Sequence, residues 1–230
     1  MPRIIPWLPI GVIFLAYQAA GWVSRRLQRP LSDRLLQDWD LRLFGVMPGV
    51  WIEQHLPRPA LHGLELFYFS YYIFIPLASW LLLARNGRPA FWRLWICGGL
   101  SYLICDLLFP WFPSTPPRRL WPDFVAGGAP QVMNLFVLDR FSVGGNVFPS
   151  SHVAATMSFA LCHLRYGRWW FLPWAVGIAV STVSGGCHYG VDAVCGVAVG
   201  VAAEWAGPHI FRRLAISPAR SPLPPPGDPG

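Results

Sequence analysis

The stretch FPSSHVAATMSFALCHLRYGRWWFLPWAVGIAVSTVSGGCHYGVD, Phe148 to Asp192, sets a histidine at each edge of a long apolar run. It opens with FPSSH (Phe148 to His152) and closes with GGCHYGVD (Gly185 to Asp192). An imidazole at such an edge meets water and an apolar phase together. His188 and Asp192 stand four apart, so a helix starting near residue 187 puts them on one face, where the carboxylate orients the ring. That arrangement serves an oriented nucleophile or an oriented base. Pro149 and Ser150 stand where a helix would begin. The main-chain N–H groups of Ser150, Ser151 and His152 would then point out of its positive end, a good seat for a phosphate.

Working outward, composition limits what the histidines can be doing. With 54% hydrophobic residues, 13% charged and 13 Trp in 230, the chain is too apolar and aromatic for an ordinary soluble domain and reads as an integral membrane protein. All 18 basic residues are arginine, giving a net charge of +7. They stand singly or in pairs between apolar segments, as membrane-flanking charges do, and this pattern argues against a nucleic-acid partner. The five cysteines (Cys97, Cys105, Cys162, Cys187, Cys195) form no CxxC pair and read as small packing residues.

Six apolar spans are expected, at Pro6 to Val23, Leu61 to Ala84, Phe91 to Trp111, Ser150 to Tyr166, Trp169 to Gly185 and Tyr189 to Ala206. The first lacks a clear cleavage site and is read as a helix, not a secretory signal. Between it and the second, residues 31 to 45 carry apolar positions at Leu31, Leu35, Leu36, Trp39 and Leu43 with charges between, the spacing of an amphipathic helix lying in the interface. Pro57 and Pro59 break the chain before the second span. Glu65 and Asp106 lie near span ends, where an interfacial position competes with a functional one. Residues 112 to 147 form a long polar connection, and the Pro-rich tail 217 to 230 is expected to be disordered. The fold class is therefore all-α, an integral membrane bundle of about six transmembrane helices. Residues 1 to 216 would make one transmembrane catalytic domain, with the site-bearing region at 106 to 192.

An even number of spans puts both termini on one side. Nine arginines fall on each side, and the shorter loops favour cytoplasmic termini. The histidine loops would then face outward, placing the site on the extracytoplasmic face of a plasma or inner membrane. Three pieces converge there: PSTPPRR (Pro113 to Arg119), FPSSH and CHYGVD (Cys187 to Asp192). Arg118, with Arg119, can close on a phosphate with the forked geometry of guanidinium.

The order of an Arg-containing motif, then PSSH, then HxxxD across six spans resembles the type-2 phosphatidic acid phosphatase superfamily of vanadium haloperoxidases, lipid phosphatases and lipid phosphotransferases. The resemblance covers about residues 100 to 200. TPPR followed by FPSSH and HYxxD is most similar to the inositolphosphotransferase-like branch, which includes the inositol phosphorylceramide synthases. It implies that His188 is the nucleophile, Asp192 its orienting partner and His152 the general acid, with Ser150, Ser151 and Arg118 holding the phosphate. Two departures stand out. Trp111 occupies the place of a lysine seven residues before the first-motif arginine, and Ser181 is followed by Thr182 instead of arginine. Two phosphate-binding cations are thus absent, and Arg140 is the candidate substitute.

Chemistry asks for the same set: a nucleophile, an acid and positive charge on the equatorial oxygens. It needs no metal and no cofactor. His152, His188 and Asp192 are of ligand type, but their basic surroundings argue against a metal. The sequence therefore reads as a metal-independent membrane enzyme that cleaves a lipid or isoprenoid phosphoester through a phosphohistidine. Its partners would be a lipid phosphate, the bilayer and, in a transferase, an alcohol acceptor such as inositol. The alternatives are that lipid-to-alcohol phosphotransferase and, in another class, an inactive membrane binding or scaffold protein. A transporter has less support, and a vanadate-dependent oxidase would need the missing cations. His55, His62, His163 and His209 have no comparable partners and read as structural.

Overall fold

A computed structural model of the chain describes residues 8–121, 129–141 and 147–215. Among them are ten helices and no strand: α1 (Leu8–Leu27), α2 (Asp33–Phe44), α3 (Pro48–His55), α4 (Arg58–Phe69), α5 (Tyr71–Leu108), α6 (Pro117–Leu120), α7 (Ala129–Phe141), α8 (Ser151–Leu164), α9 (Phe171–Ser184) and α10 (Gly190–Ala215). The expected tail lies outside the described residues.

The fold is all-α, but its helices do not divide as the apolar runs do. Two, Tyr71–Leu108 and Gly190–Arg213, are long and apolar enough by length and composition to cross a membrane. The expected spans over residues 150–166 and 169–185 become α8 and α9, each of 14 residues. At 1.5 Å per residue each is roughly 21 Å long, shorter than a hydrocarbon core of about 30 Å. The 38 residues of α5 are really two arms. Gly87 adopts φ 80°, a conformation costly for any residue with a Cβ, and Pro89 follows it, so the chain bends at the turn expected between the second and third spans. The second expected span is also interrupted, at Ser70 between α4 and α5. The chain breaks before it as expected, at Leu56 and Pro57 between α3 and α4. Pro57 flanks α4 and Pro59 sits in its first turn, where a missing N–H leaves no bond unmade. The long polar connection contains α6 and α7.

The core lies between α5, α8 and α9, where Phe74, Leu82, Leu94, Phe159, Phe171 and Ile178 are fully buried. His163 belongs to this core. Its ring stacks on Phe171 at 3.9 Å and its Nε2 lies 3.0 Å from the Ala78 carbonyl. α10 packs on α8 through Gly196 and Gly200. A Cβ on either would come within 2.7 Å of the Ser150 carbonyl or 2.5 Å of the Ala154 carbonyl. Small residues four apart let the two backbones touch, and this contact brings the start of α10 beside the start of α8. The two histidine motifs meet there.

One helix length away, Glu204 of α10 ties the bundle together. Its Oε1 accepts from Arg93 at 2.8 Å and from Arg165 at 2.7 Å. Glu65 and Asp106 are both buried, at 5% and 6% exposure, so neither holds the hydrated position their places near span ends allowed. Asn134 of α7 donates to the Glu65 carboxylate and also to its main-chain carbonyl. Among the described residues neither Asp106 oxygen has a hydrogen-bond partner.

Candidate active site

The loop between α9 and α10 carries His188. Gly186 turns it with φ 62°, and the His188 N–H returns to the Thr182 carbonyl at 3.1 Å. α10 begins at Gly190, three residues later than the pattern suggests, yet the His188–Asp192 pair still forms. His188 Nδ1 lies 3.3 Å from Asp192 Oδ2, and the same oxygen accepts the Tyr189 N–H at 2.9 Å. Asp192 is fully buried and His188 is 6% exposed. Burial away from water pushes the His188 imidazole down from 6.5 to about 4, against a hydrogen bond with the Val147 backbone; the Arg118 charge adds to the lowering. At neutral pH the ring is therefore uncharged, with Nδ1 turned to the Asp192 carboxylate.

The second motif stands opposite. His152, in the first turn of α8, presents its ring to His188 with centroids 5.9 Å apart. Tyr71 and Tyr68 hold its other faces at 4.5 and 5.7 Å. The hydroxyl of Tyr71 bonds in turn to that of Tyr102. His152 Nδ1 is buried and has no hydrogen-bond partner among the described residues. Ser150 is the N-cap of α8, its Oγ accepting from the Val153 N–H at 3.4 Å. Of the three N–H groups expected to point outward, that of Ser150 is instead given to the Asp192 carbonyl at 3.1 Å. This bond joins the second motif to the third. Ser151, the first residue of the helix, is 9% exposed.

Arg118 brings in the first motif. Its N–H donates to the Gly186 carbonyl at 2.9 Å and its guanidinium reaches Cys187 Sγ at 3.3 Å. The structure therefore places Arg118, Ser150, His152, His188 and Asp192 around one point. The other two arginines stand apart. Arg119 is exposed, and Arg140 lies on α7 with its guanidinium 4.9 Å from the Phe136 ring. No described contact brings Arg140 to the histidines. Beside His188 and Tyr189 runs a narrow cleft lined by Asp40, Met47, Gly49, Val50, Pro117 and Trp121. Among the described residues no three of His, Cys, Asp and Glu are grouped to hold a metal ion.

Sequence reasoning missed the residues that come to the site from α2. Asp33 Oδ1 accepts the Thr115 N–H at 2.6 Å and lies 3.4 Å from the Tyr189 hydroxyl. Asp40 accepts the N–H groups of Gly190 and Val191 at 2.9 and 2.7 Å. The available signal was the spacing: Asp33, Leu36 and Asp40 share one helical face. Tyr68 and Tyr71 were equally hidden, being indistinguishable in sequence from other aromatic residues of an apolar run.

Ten helices and no strand among the described residues, and two histidines, a carboxylate, an arginine and a helix N-terminus converging on one point, define an all-α protein built around a histidine pair. The profile of the PAP2 superfamily matches residues 36–206, three quarters of the chain. The protein belongs to the PAP2 superfamily, and membership suggests phosphatase-type phosphoester chemistry. Neither a curated protein nor a solved structure matches the chain.

Proposed function

We propose that the protein is a membrane-embedded lipid phosphate phosphatase or phosphotransferase that works through a phosphohistidine at His188. The observation that carries this reading is the opposed histidine pair, 5.9 Å between ring centroids, with one ring held by a buried carboxylate. In the first step the Nε2 lone pair of His188 forms a bond to phosphorus while the bond to the lipid oxygen breaks, and His152 gives that oxygen a proton. The Nδ1 proton stays on His188, and Asp192 stabilises the charged ring. In the second step His152 takes a proton from water, whose oxygen attacks phosphorus as the N–P bond breaks. Arg118, the N–H groups of Ser151 and His152 and the Ser150 hydroxyl would face the equatorial oxygens. If an alcohol replaces water, the same residues carry out the transfer reaction of the inositolphosphotransferase-like branch.

We read the helices as the six-span bundle, with α4 and the first arm of α5 as one crossing and the second arm as the next. The site would then open on the extracytoplasmic face. The site needs no metal for these steps, because each role falls to a protein group.

The test is phosphate release by detergent-purified protein from phosphatidic acid, phosphatidylglycerophosphate and undecaprenyl diphosphate, with and without candidate alcohols. Release by the wild type and none by His188→Ala supports the reading. Release by both would overturn the phosphohistidine, and binding of a phosphate ligand without turnover would favour the scaffold reading.

A further inference from the structure

The helix α2 looks like a surface element from its sequence, yet it touches all three motifs. At its N-terminal end the Ser32 N–H donates to the Pro113 carbonyl at 2.7 Å, and Asp33 accepts from Thr115 as above, so the first motif hangs from residues 32 and 33. One turn on, Leu36 is fully buried against Val147, Phe148, Tyr189 and Val191, and Trp39 meets the Phe148 ring edge-on at 5.8 Å. At the next turn Asp40, 1% exposed, uses both carboxylate oxygens on the first two N–H groups of α10.

We infer that α2 is a clamp on the site and that Asp40 is its positioning residue, fixing the peptide units of Gly190 and Val191 and through them the His188–Asp192 pair. The inference rests on the reaction proposed above. Asp40 stands two residues past His188 in its point of attachment and directly before Asp192, so a shift there moves both partners of the 3.3 Å pair. A carboxylate at a helix N-terminus also complements the positive end of the dipole, and two charge-assisted bonds hold the orientation better than one. A second observation is independent of these bonds. A Cβ on Gly190 would come within 2.7 Å of Phe44, 2.8 Å of Pro48 and 3.2 Å of Asp40 Oδ1, so α2 and the α2–α3 turn sit against the α10 backbone with no room for a side chain. Reactive groups misplaced by about 1 Å lose on the order of 100-fold in rate. Both Asp40 oxygens are taken up by the Gly190 and Val191 N–H groups, so it acts through the loop.

The experiment uses the full-length protein in micelles. Asp40→Ala should lower kcat about 100-fold with KM within about twofold, because the phosphate contacts remain while the nucleophile loses its alignment. Asp40→Asn keeps one acceptor oxygen and should lose about 10-fold. Gly190→Ala keeps Asp40 and pushes the two elements apart, and should reproduce the kcat loss should Asp40→Ala fail to fold. Hydrogen exchange of residues 188–192 should quicken in all three. A kcat within twofold of wild type in Asp40→Asn and Gly190→Ala would overturn the clamp. If the wild type turns over none of the phospholipids, the proposed reaction fails, and exchange alone decides the clamp: quickened exchange in Asp40→Asn upholds it and unchanged exchange overturns it.

Discussion

Glu204, at the far end of the α8–α10 contact, draws two arginines, Arg93 and Arg165, while Asp33, Asp40 and Asp192, at the near end, draw main-chain N–H groups instead. Glu204, Asp40 and Asp192 are buried and Asp33 is half-buried, and the choice of partner decides what each end can do. A carboxylate held between guanidinium groups is neutralised and welds three segments together. A carboxylate held by peptide N–H groups fixes the backbone of a loop without consuming positive charge, which a phosphate site needs. The near end is thus stiff in its main chain and keeps its side chains for chemistry.

The contrast can be broken most sharply at the histidine. His188→Ala should lower turnover by roughly 10⁴-fold or more, read as phosphate release per folded molecule. Asp192→Asn should cost on the order of 100-fold or more in kcat, since an amide neither orients the ring as a donor acceptor pair nor stabilises its charge. Glu204→Gln at the opposite end should do the reverse. Breaking the paired arrangement there should lower stability by about 2 to 3 kcal/mol, with Arg165 half in water and able to rehydrate, while kcat stays within about twofold. Loss of activity without loss of stability in that variant would erase the distinction between the ends. Between them, Gly200→Leu should force α10 off α8 and cost about 3 kcal/mol in an unfolding titration, with the histidines parting as it does.

A further effect is one of pH. Folding lowers the His188 value from 6.5 to about 4, so between those limits the unfolded chain binds more protons than the folded one. Its contribution to stability is complete above pH 6.5 and is lost as pH falls toward 4, by at most roughly 3 kcal/mol. The apparent Tm of the wild type should fall relative to that of His188→Asn over this window. Burial also raises the Asp40 value, but that residue is common to both proteins and cancels in the difference. An unchanged gap from pH 7 to 4 would mean that the ring is hydrated.

Local spacing carried much of the site. His188 and Asp192 are four apart, and that pair survives even though the helix begins at Gly190 and Tyr189 contributes an extra N–H to the carboxylate. The convergence of FPSSH, CHYGVD and the first-motif arginine was also legible, because alternate helix directions return the chain to one end. Contacts set by tertiary approach were not. Asp40 meets Gly190 across 150 positions, and nothing local distinguishes its carboxylate from one facing water. Span lengths were overestimated more simply: the expected span ran on to Tyr166, but α8 ends at Leu164, and Arg165 and Tyr166 belong to the turn completed by Gly167, with φ 72°. The Ser150 N–H illustrates the same limit at the scale of one bond, since only the docking of α10 turns it toward the Asp192 carbonyl.

Covalent phosphorylation of His188 is decided by rapid quenching of the wild-type enzyme with a lipid labelled in its phosphate. An acid-labile, alkali-stable label is expected on the fragment containing His188, absent from His188→Asn, formed and lost at rates compatible with kcat. Steady turnover with no label on that fragment, or turnover in His188→Asn near the wild-type rate, would contradict it.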